Sequence, residues 1–362
     1  MKGLELCRAF YAEAVRPLLA QAYPDLRYAA ARLGPGSEVL GFDSERSADH
    51  DWGPRLELFL APADAARHGG AISEFLASRL PKRFRGWPTN FEPPDALVRV
   101  MTPTEGPVAH RVVVTDLGSW STACLGFDPL AGVTVFDWLA TPAQLLAEAT
   151  AGAVFHDGIG ELTEVRARLA WYPDDVWRYL LACQWLRLGE EEPFVGRSAE
   201  AGDDLGSRLL AARLARDVMR LCLLLARRYP PYGKWLGTAF AALPDAAGIA
   251  AALAAALAAD DGGDRQSALC DAYEQAGRWQ NRLGLAREVD ATRRPFFDRP
   301  YPVIAAGRFA SALLAGIEDR EIARRPAIGG IDQFADSTPV LCQPGPARAL
   351  MAALWSNPAG PE

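Results

Sequence analysis

A chain of 362 residues, half of them hydrophobic and 23% charged, has ordinary globular composition and exceeds what one core usually supports, so two domains are expected. The formal net charge of −7 argues against a nucleic-acid binder that relies on bulk electrostatics and leaves room only for a local basic groove. No uninterrupted apolar run approaches the roughly 18 residues of a membrane span, and cysteines scattered at 7, 124, 183, 222, 270 and 342 contain no C-x-x-C pair, so a reduced, cytoplasmic protein without a membrane partner is expected.

The start, "MKGLELCRAFYAEAVRPLLAQAY", has an early acidic residue and apolar residues at helical spacing, which predicts an amphipathic helix over 4–23 closed by Pro24 rather than a signal peptide. Short β-rich pieces follow: "SEVLGF", "RLELFL", "ALVRVM" and "HRVVVTDL", punctuated by Gly and Pro clusters. From about residue 162 the spacing becomes helical. Helices are predicted in "TEVRARLAWYP", "DDVWRYLLACQWLRLGEEEPF" and "DDLGSRLLAARLARDVMRLCLLLARR", then over 235–243, 246–259, 264–283 and 302–318. Asp203 or Asp204 is a plausible N-cap of the longest helix, and Pro230-Pro231 its stop. Residues 1–160 are thus expected to form a domain mixing strands and helices, and 161–362 a helical bundle.

The densest stretch is "GPGSEVLGFDSERSADHDWGPRLELFL", residues 34–60. Side chains two apart on a strand point to the same face, so Asp49 and Asp51 are expected to set two carboxylates side by side, a repulsion that a divalent cation removes. Mg²⁺ is usually held by one or two carboxylates plus phosphate oxygens. Gly36 lets backbone approach a ligand closely, and Ser37 offers a hydroxyl and an N–H to phosphate. A lone Asp-x-Asp is most often a solvated strand end. A Gly-Ser pair, about a dozen residues, then Asp-x-Asp entering an apolar strand is more restrictive. "GPGSEV" is not a P-loop, since it lacks the Gly-Lys-Ser/Thr.

This arrangement resembles the signature of the nucleotidyltransferase superfamily. "GSEVLGFDSERSADHDWGPR", "FDWLATPAQLLAEATAGAVFHD", "FVGRSAEAGDDLGS", "RRYPPYGKWLGTAF" and "IGGIDQFADST" look like the bacterial family catalogued as domain of unknown function 4037, over most of the chain. The resemblance implies an α+β fold, a nucleotidyltransferase mixed sheet with helices followed by an all-helical domain, as in kanamycin- and lincosamide-type enzymes. It implies Gly36 and Ser37 at the phosphate turn, Asp49 and Asp51 as metal ligands, and a third carboxylate on a neighbouring strand. Asp116, the acid of "HRVVVTDL", is the best candidate although it falls late in its strand; Glu57 and Asp137 are others, and a degenerate site lacking this acid is the alternative.

Further residues carry weaker signals. Arg46 and Ser47 stand in the loop before Asp49, where an arginine fork suits phosphate or simply pairs with Glu45 or Asp43. His50 is expected to face away from its neighbours. Lys234, in "RRYPPYGKW", either binds triphosphate or acceptor from the helical domain or only complements a helix terminus. Asp332, Gln333 and Asp336 are expected to stabilise the C-terminal segment, and Trp171, Tyr172, Trp177, Tyr179 and Trp185 to lie in core. The expected activity is an Mg²⁺-dependent transfer of a nucleoside monophosphate from a nucleoside triphosphate, expected to be ATP, to a hydroxyl of an unknown small-molecule or protein acceptor, nucleic acid being disfavoured. The alternative is a nucleotide sensor or antitoxin-like protein. The last histidine is His156, so the Arg…His pair of the associated ribonuclease domains is absent beyond residue 160.

Overall fold

The run Arg55–Leu60 is buried along its whole length and stands inside a four-stranded mixed sheet in the computed structural model, which describes residues 1–93 and 99–356 and, for Asp49, the backbone alone. Burial on both faces explains why this strand reads as a near-continuous run rather than an alternation. The strands are β1 (Tyr28–Arg32), β2 (Arg55–Leu60), β3 (Arg111–Asp116) and β4 (Ala153–Asp157), in the order β3-β2-β1-β4. β1 runs antiparallel to β2, with Tyr28 opposite Leu60 and Ala31 opposite Glu57. β3 runs parallel to β2, with Arg55 opposite Arg111 and Leu60 opposite Asp116. A parallel pair needs a crossover, and the helix Pro62–Arg79, with its proline in the first turn, lies within that connection.

The chain divides into two compact units, Met1–Val133 with Leu145–Ala170, and Thr134–Gln144 with Trp171–Glu362. The first holds the sheet. Its N-terminal helical run, Gly3–Phe10 continuing through a π-turn to Arg16–Ala22, matches the expected amphipathic helix. Leu6, Phe10, Val15 and Leu19 of that run share one apolar cluster with Leu56, Leu58 and Leu60 of β2 and with Ile72 and Leu76 of the crossover helix. Alternation along β2 therefore sends Arg55, Glu57 and Phe59 to the opposite face.

Two expectations need correction. "SEVLGF" is not a strand: Ser37–Leu40 is a single helical turn between Gly36 at its N-cap and a left-handed Gly41 at its C-cap. Asp49 and Asp51 do not belong to β2 either. Asp49 ends a 3-10 turn, Glu45–Asp49, which Ser44 and Ser47 close with a capping box, and Asp51 is left-handed at φ 47°. The segment "ALVRVM" begins among residues outside the description, although Met101 bridges to Phe91.

The second unit is built mainly of helices, among them Asp174–Glu191, Asp204–Leu225 and Gly262–Leu283, so the chain as a whole is α+β. Asp203 caps the longest by accepting the Gly206 N–H at 2.8 Å. That helix stops before its prolines, at a left-handed Arg227 (φ 53°). The expected helix 302–318 shortens to Gly307–Leu314, because Arg294–Pro295 and Pro302–Val303 pair as a small ribbon ahead of it. Tyr172, Trp177, Tyr179 and Trp185 are buried in this unit, Trp185 stacking on Phe309 at 4.5 Å between centroids. Among the described residues no single helix is long and apolar enough to cross a membrane.

Leu56 is fully buried in the first unit's cluster, so Leu56→Ala is expected to cost about 3 kcal/mol through lost burial and residual cavity. The urea midpoint of the transition that melts the sheet should fall accordingly; an unchanged midpoint would contradict the packing.

Candidate functional site

The Gly-Ser turn leaves the end of β1 and is fixed from behind by four buried charges. Arg32 closes β1, Arg55 opens β2, and Glu57 lies two residues further on Arg55's face. Arg32 Nε donates to Glu38 Oε1 at 2.8 Å, and Arg55 Nη2 donates to the same oxygen at 2.6 Å. Arg32 Nη1 donates to Glu57 Oε1 at 3.0 Å, while the Leu33 N–H donates to Glu57 Oε2 at 2.9 Å. Both arginines also donate to the Pro35 carbonyl, Arg32 at 2.5 Å and Arg55 at 3.3 Å. The strand ends thereby hold the backbone one residue before Gly36.

Gly36 is required by this contact. A Cβ there would lie 2.5 Å from Glu38 Oε2, 2.6 Å from Arg55 Nη2 and 2.8 Å from Arg32 Nη2. All three are ends of side chains already committed to one another, so none can yield cheaply. A second glycine closes the same structure from the other side: the Gly152 N–H donates to the Val39 carbonyl at 2.9 Å, and a side chain at Gly152 would run into the Arg32 carbonyl.

Burial works against the charge on Glu38, but the two guanidiniums outweigh it and hold its carboxyl below the usual range. For Glu57 burial wins, and its carboxyl is pushed up despite Arg32 and the Leu33 N–H. Burial, with Arg32 beside it, lowers Arg55 to about 10, still protonated at neutral pH.

Asp51 reaches the same edge of the sheet. Its N–H donates to the Arg99 carbonyl at 3.0 Å, and its Oδ1 accepts from Arg111 Nη1 at 2.7 Å. A left-handed backbone is tolerated by aspartate, and the next residue, Trp52, is buried against Trp87, which anchors the chain just beyond it. The Asp51 carboxylate is half exposed, and Arg111 opens β3 directly opposite Arg55. The side chain of Asp49 lies outside the described residues.

Asp116 is not brought to this place. It ends β3 five positions after Arg111, about 16 Å away at about 3.3 Å per residue. There it caps the following helix by accepting the Ser119 N–H at 2.8 Å. Its late position in the strand, visible in the sequence, is the position of an N-cap. Glu57, the other strand acid, is committed to Arg32 and Leu33; Asp137 caps its own helix with Thr134. Ser47 accepts the Ser44 N–H at 2.9 Å, so its hydroxyl helps hold the turn, and Arg46 is exposed on it. Ser37 is half-buried at the start of its helical turn.

Within the second unit, Lys234 is exposed near the start of the helix Gly233–Ala241, with Nζ 5.2 Å from the centre of the Trp235 ring. The acceptor-rich C-terminal turn has internal structural partners: Asp332 accepts the Ala143 N–H at 2.9 Å, Gln333 donates to the Leu180 carbonyl at 2.8 Å, and Asp336 pairs with Arg216 at 3.0 Å.

The sequence reading missed Arg32, Glu38, Arg55, Arg99 and Arg111. The signal was present in "RLELFL": an arginine and a glutamate on one face of a buried strand must find partners, and "YAAAR" and "GSE" supply them.

Comparison with known proteins adds little to this geometry. The family described as domain of unknown function (DUF4037) matches residues 138–236. No curated protein matches the chain. A solved structure described as a nucleotidyltransferase-like protein from Exiguobacterium sibiricum is 13% identical and aligns over 87% of this chain and 89% of that one, with a TM-score of 0.29. A likeness that loose carries no argument about activity, and nothing in these matches points to the kanamycin-type enzymes in particular.

Glu38→Gln leaves two buried guanidiniums facing a neutral amide and is expected to cost about 3 kcal/mol at pH 7. Because the folded carboxyl of Glu38 lies below its unfolded value of about 4.3, its contribution is present above that pH and is lost as pH falls toward the folded value. Thermal midpoints followed from pH 7 to pH 3 should therefore decline more steeply for the wild-type protein than for Glu38→Gln. Parallel curves would remove Glu38 from the ledger.

Proposed function

We propose that the first unit binds a nucleoside triphosphate together with Mg²⁺ and transfers the nucleoside monophosphate to a hydroxyl of a small-molecule or protein acceptor. The observation that carries this reading is the sharing of one sheet edge. The Gly36-Ser37 turn, fixed by Arg32 and Arg55, stands where β1 ends, and the Asp51 carboxylate stands where β2 and β3 begin.

The donor set suits a metal that arrives with its substrate. Among the described residues no group of three or more His, Cys, Asp or Glu could hold a cation alone. Mg²⁺, however, needs only one or two carboxylates when phosphates and water complete its shell. Asp51 fits, being half exposed with one oxygen on Arg111, and Asp49 is the proposed second ligand. Bound there, Mg²⁺ would draw charge from the phosphate oxygens. Gly36 and Ser37 would face the phosphates, the glycine by admitting them close to backbone and the serine through its hydroxyl. Arg46, exposed on the neighbouring turn, is proposed as a further phosphate contact. The acceptor oxygen bonds to the α-phosphorus as the bridging P–O bond breaks, pyrophosphate leaves, and the hydroxyl proton passes to solvent or to a carboxylate at this edge. Positioning and electrostatics account for the rate in such a scheme. An acidic chain favours a small molecule or a protein side chain over nucleic acid as acceptor.

One pair of observations favours a second reading, a catalytically degenerate nucleotide binder: Asp116 caps a helix at the far end of β3, and Asp51 is paired with an arginine. The same experiment separates the two. Incubation with Mg²⁺, α-labelled nucleotides and cell extract should transfer label, and Asp51→Asn should reduce the transfer on the order of 100-fold, equivalent to about 2.7 kcal/mol of charge stabilisation. Nucleotide binding without transfer by the wild-type protein would identify the degenerate binder. Absence of binding would end both readings.

A further inference from the structure

Four arginines gather at the sheet edge that carries the Gly-Ser turn, and they differ in what they are free to do. Arg32 and Arg55 are almost fully buried and committed to Glu38, Glu57 and Pro35. Arg111 is not. Its place is set by the first residue of β3, and its guanidinium lies 5.6 Å from the centre of the buried Phe91 ring, which orients the plane. Its hydrogen bond among the described residues goes to one oxygen of Asp51, and its side chain remains 19% exposed. Arg99 is tied to the same spot, because the Asp51 N–H donates to its carbonyl, and its Nε donates to the Glu92 carbonyl at 3.1 Å. Burial, with the neighbouring charge of Arg111, holds Arg99 below its ordinary value.

We propose that Arg111, backed by Arg99, is the polyphosphate-binding cation of this edge, and that Asp51 occupies it when no phosphate is present. This rests on the reading of the edge as a nucleotide site and deepens it. A guanidinium fork accepts carboxylate and phosphate in the same geometry, and phosphate, with more charge and more acceptor oxygens, is the stronger partner. The Arg111 guanidinium meets one oxygen of a half-exposed carboxylate, in a chain whose net charge is −7. Asp51 then has two opposed effects. It competes with phosphate for Arg111, and it becomes available to a cation once Arg111 has moved to the phosphate. The arrangement makes binding of metal and of polyphosphate mutually supporting: each partner removes from the other's site the charge that occupied it.

The test uses inorganic tripolyphosphate, the full chain and isothermal calorimetry, first in EDTA and then in Mg²⁺. In EDTA, Arg111→Gln should weaken binding about tenfold, as loss of a charge-assisted bidentate contact does, and Arg111→Lys should recover part of it. Asp51→Asn should tighten binding in EDTA by roughly five- to tenfold, since Arg111 is released, and weaken it in Mg²⁺. The decisive measurement is the double variant. If Asp51 acts through Arg111, Asp51→Asn gives no gain in an Arg111→Gln background. A gain of equal size in both backgrounds would reduce the effect to general charge repulsion and overturn the proposal, as would an Arg111→Gln protein that binds like wild type or a complete lack of binding by Asp51→Asn in EDTA. Thermal midpoints of the variants, expected to stay near wild type for two part-exposed groups, exclude unfolding as the cause. The two ideas fail separately: label transfer that depends on Asp51 without the coupling keeps the transferase reading alone, and coupling without transfer keeps the polyphosphate site alone.

Discussion

Two arginines and two glutamates buried behind one strand set the geometry of the first unit. Arg32, Glu38, Arg55 and Glu57 balance in charge, and each is held by at least one of the others at hydrogen-bond distance. Such a cluster contributes little net stability over an apolar core, since desolvation offsets most of the attraction, but breaking it leaves an uncompensated charge in the interior. Its effect is therefore on position. These bonds tie the ends of β1 and β2 to the turn between them, and Gly36 is where the chain must be thin enough to allow it.

The sheet topology then decides what meets what. Because β1 is antiparallel to β2 and β3 is parallel to it, the end of β1 and the beginnings of β2 and β3 share an edge. The Gly-Ser turn, Arg55, Arg111 and Asp51 all belong there. The same register sends Asp116 to the other edge with Leu60, where a carboxylate at the start of a helix satisfies orphan N–H groups. A third acid for the chemistry and a cap for a helix look alike in sequence. Only the direction of the strand tells them apart.

The helical unit shows the complementary case, polar residues whose work is internal. Trp177 donates its ring N–H to the Leu224 carbonyl at 2.8 Å, and Gln333 binds both the Leu180 carbonyl and Gln184. The first bond ties two long helices together and the second holds the short helix Ile331–Phe334 to one of them, as buried polar groups must be fixed if they are not to cost stability. Asp332, which stood out in the sequence for its polarity, is used in the same way, while Asp336 forms a surface pair with Arg216.

The sequence by itself determined an α+β chain with its strands early and its long helices late, the N-terminal helix, β2, β3, an N-cap at Asp203 or Asp204 and the aromatic core, because each rests on local periodicity or on one side chain beside its own backbone. It also marked Gly36, Ser37, Asp49 and Asp51 as a group, through spacing and a family resemblance. It misjudged "SEVLGF" and the Asp-x-Asp segment as strand, where glycines at 36 and 41 and a serine capping box impose turns instead. What only the tertiary structure decided is which charges meet. Arg32 finds Glu57 across the antiparallel pair, and Arg111, set beside the start of β2, finds Asp51 in the turn that precedes that strand, contacts between residues far apart in the chain that no local spacing encodes.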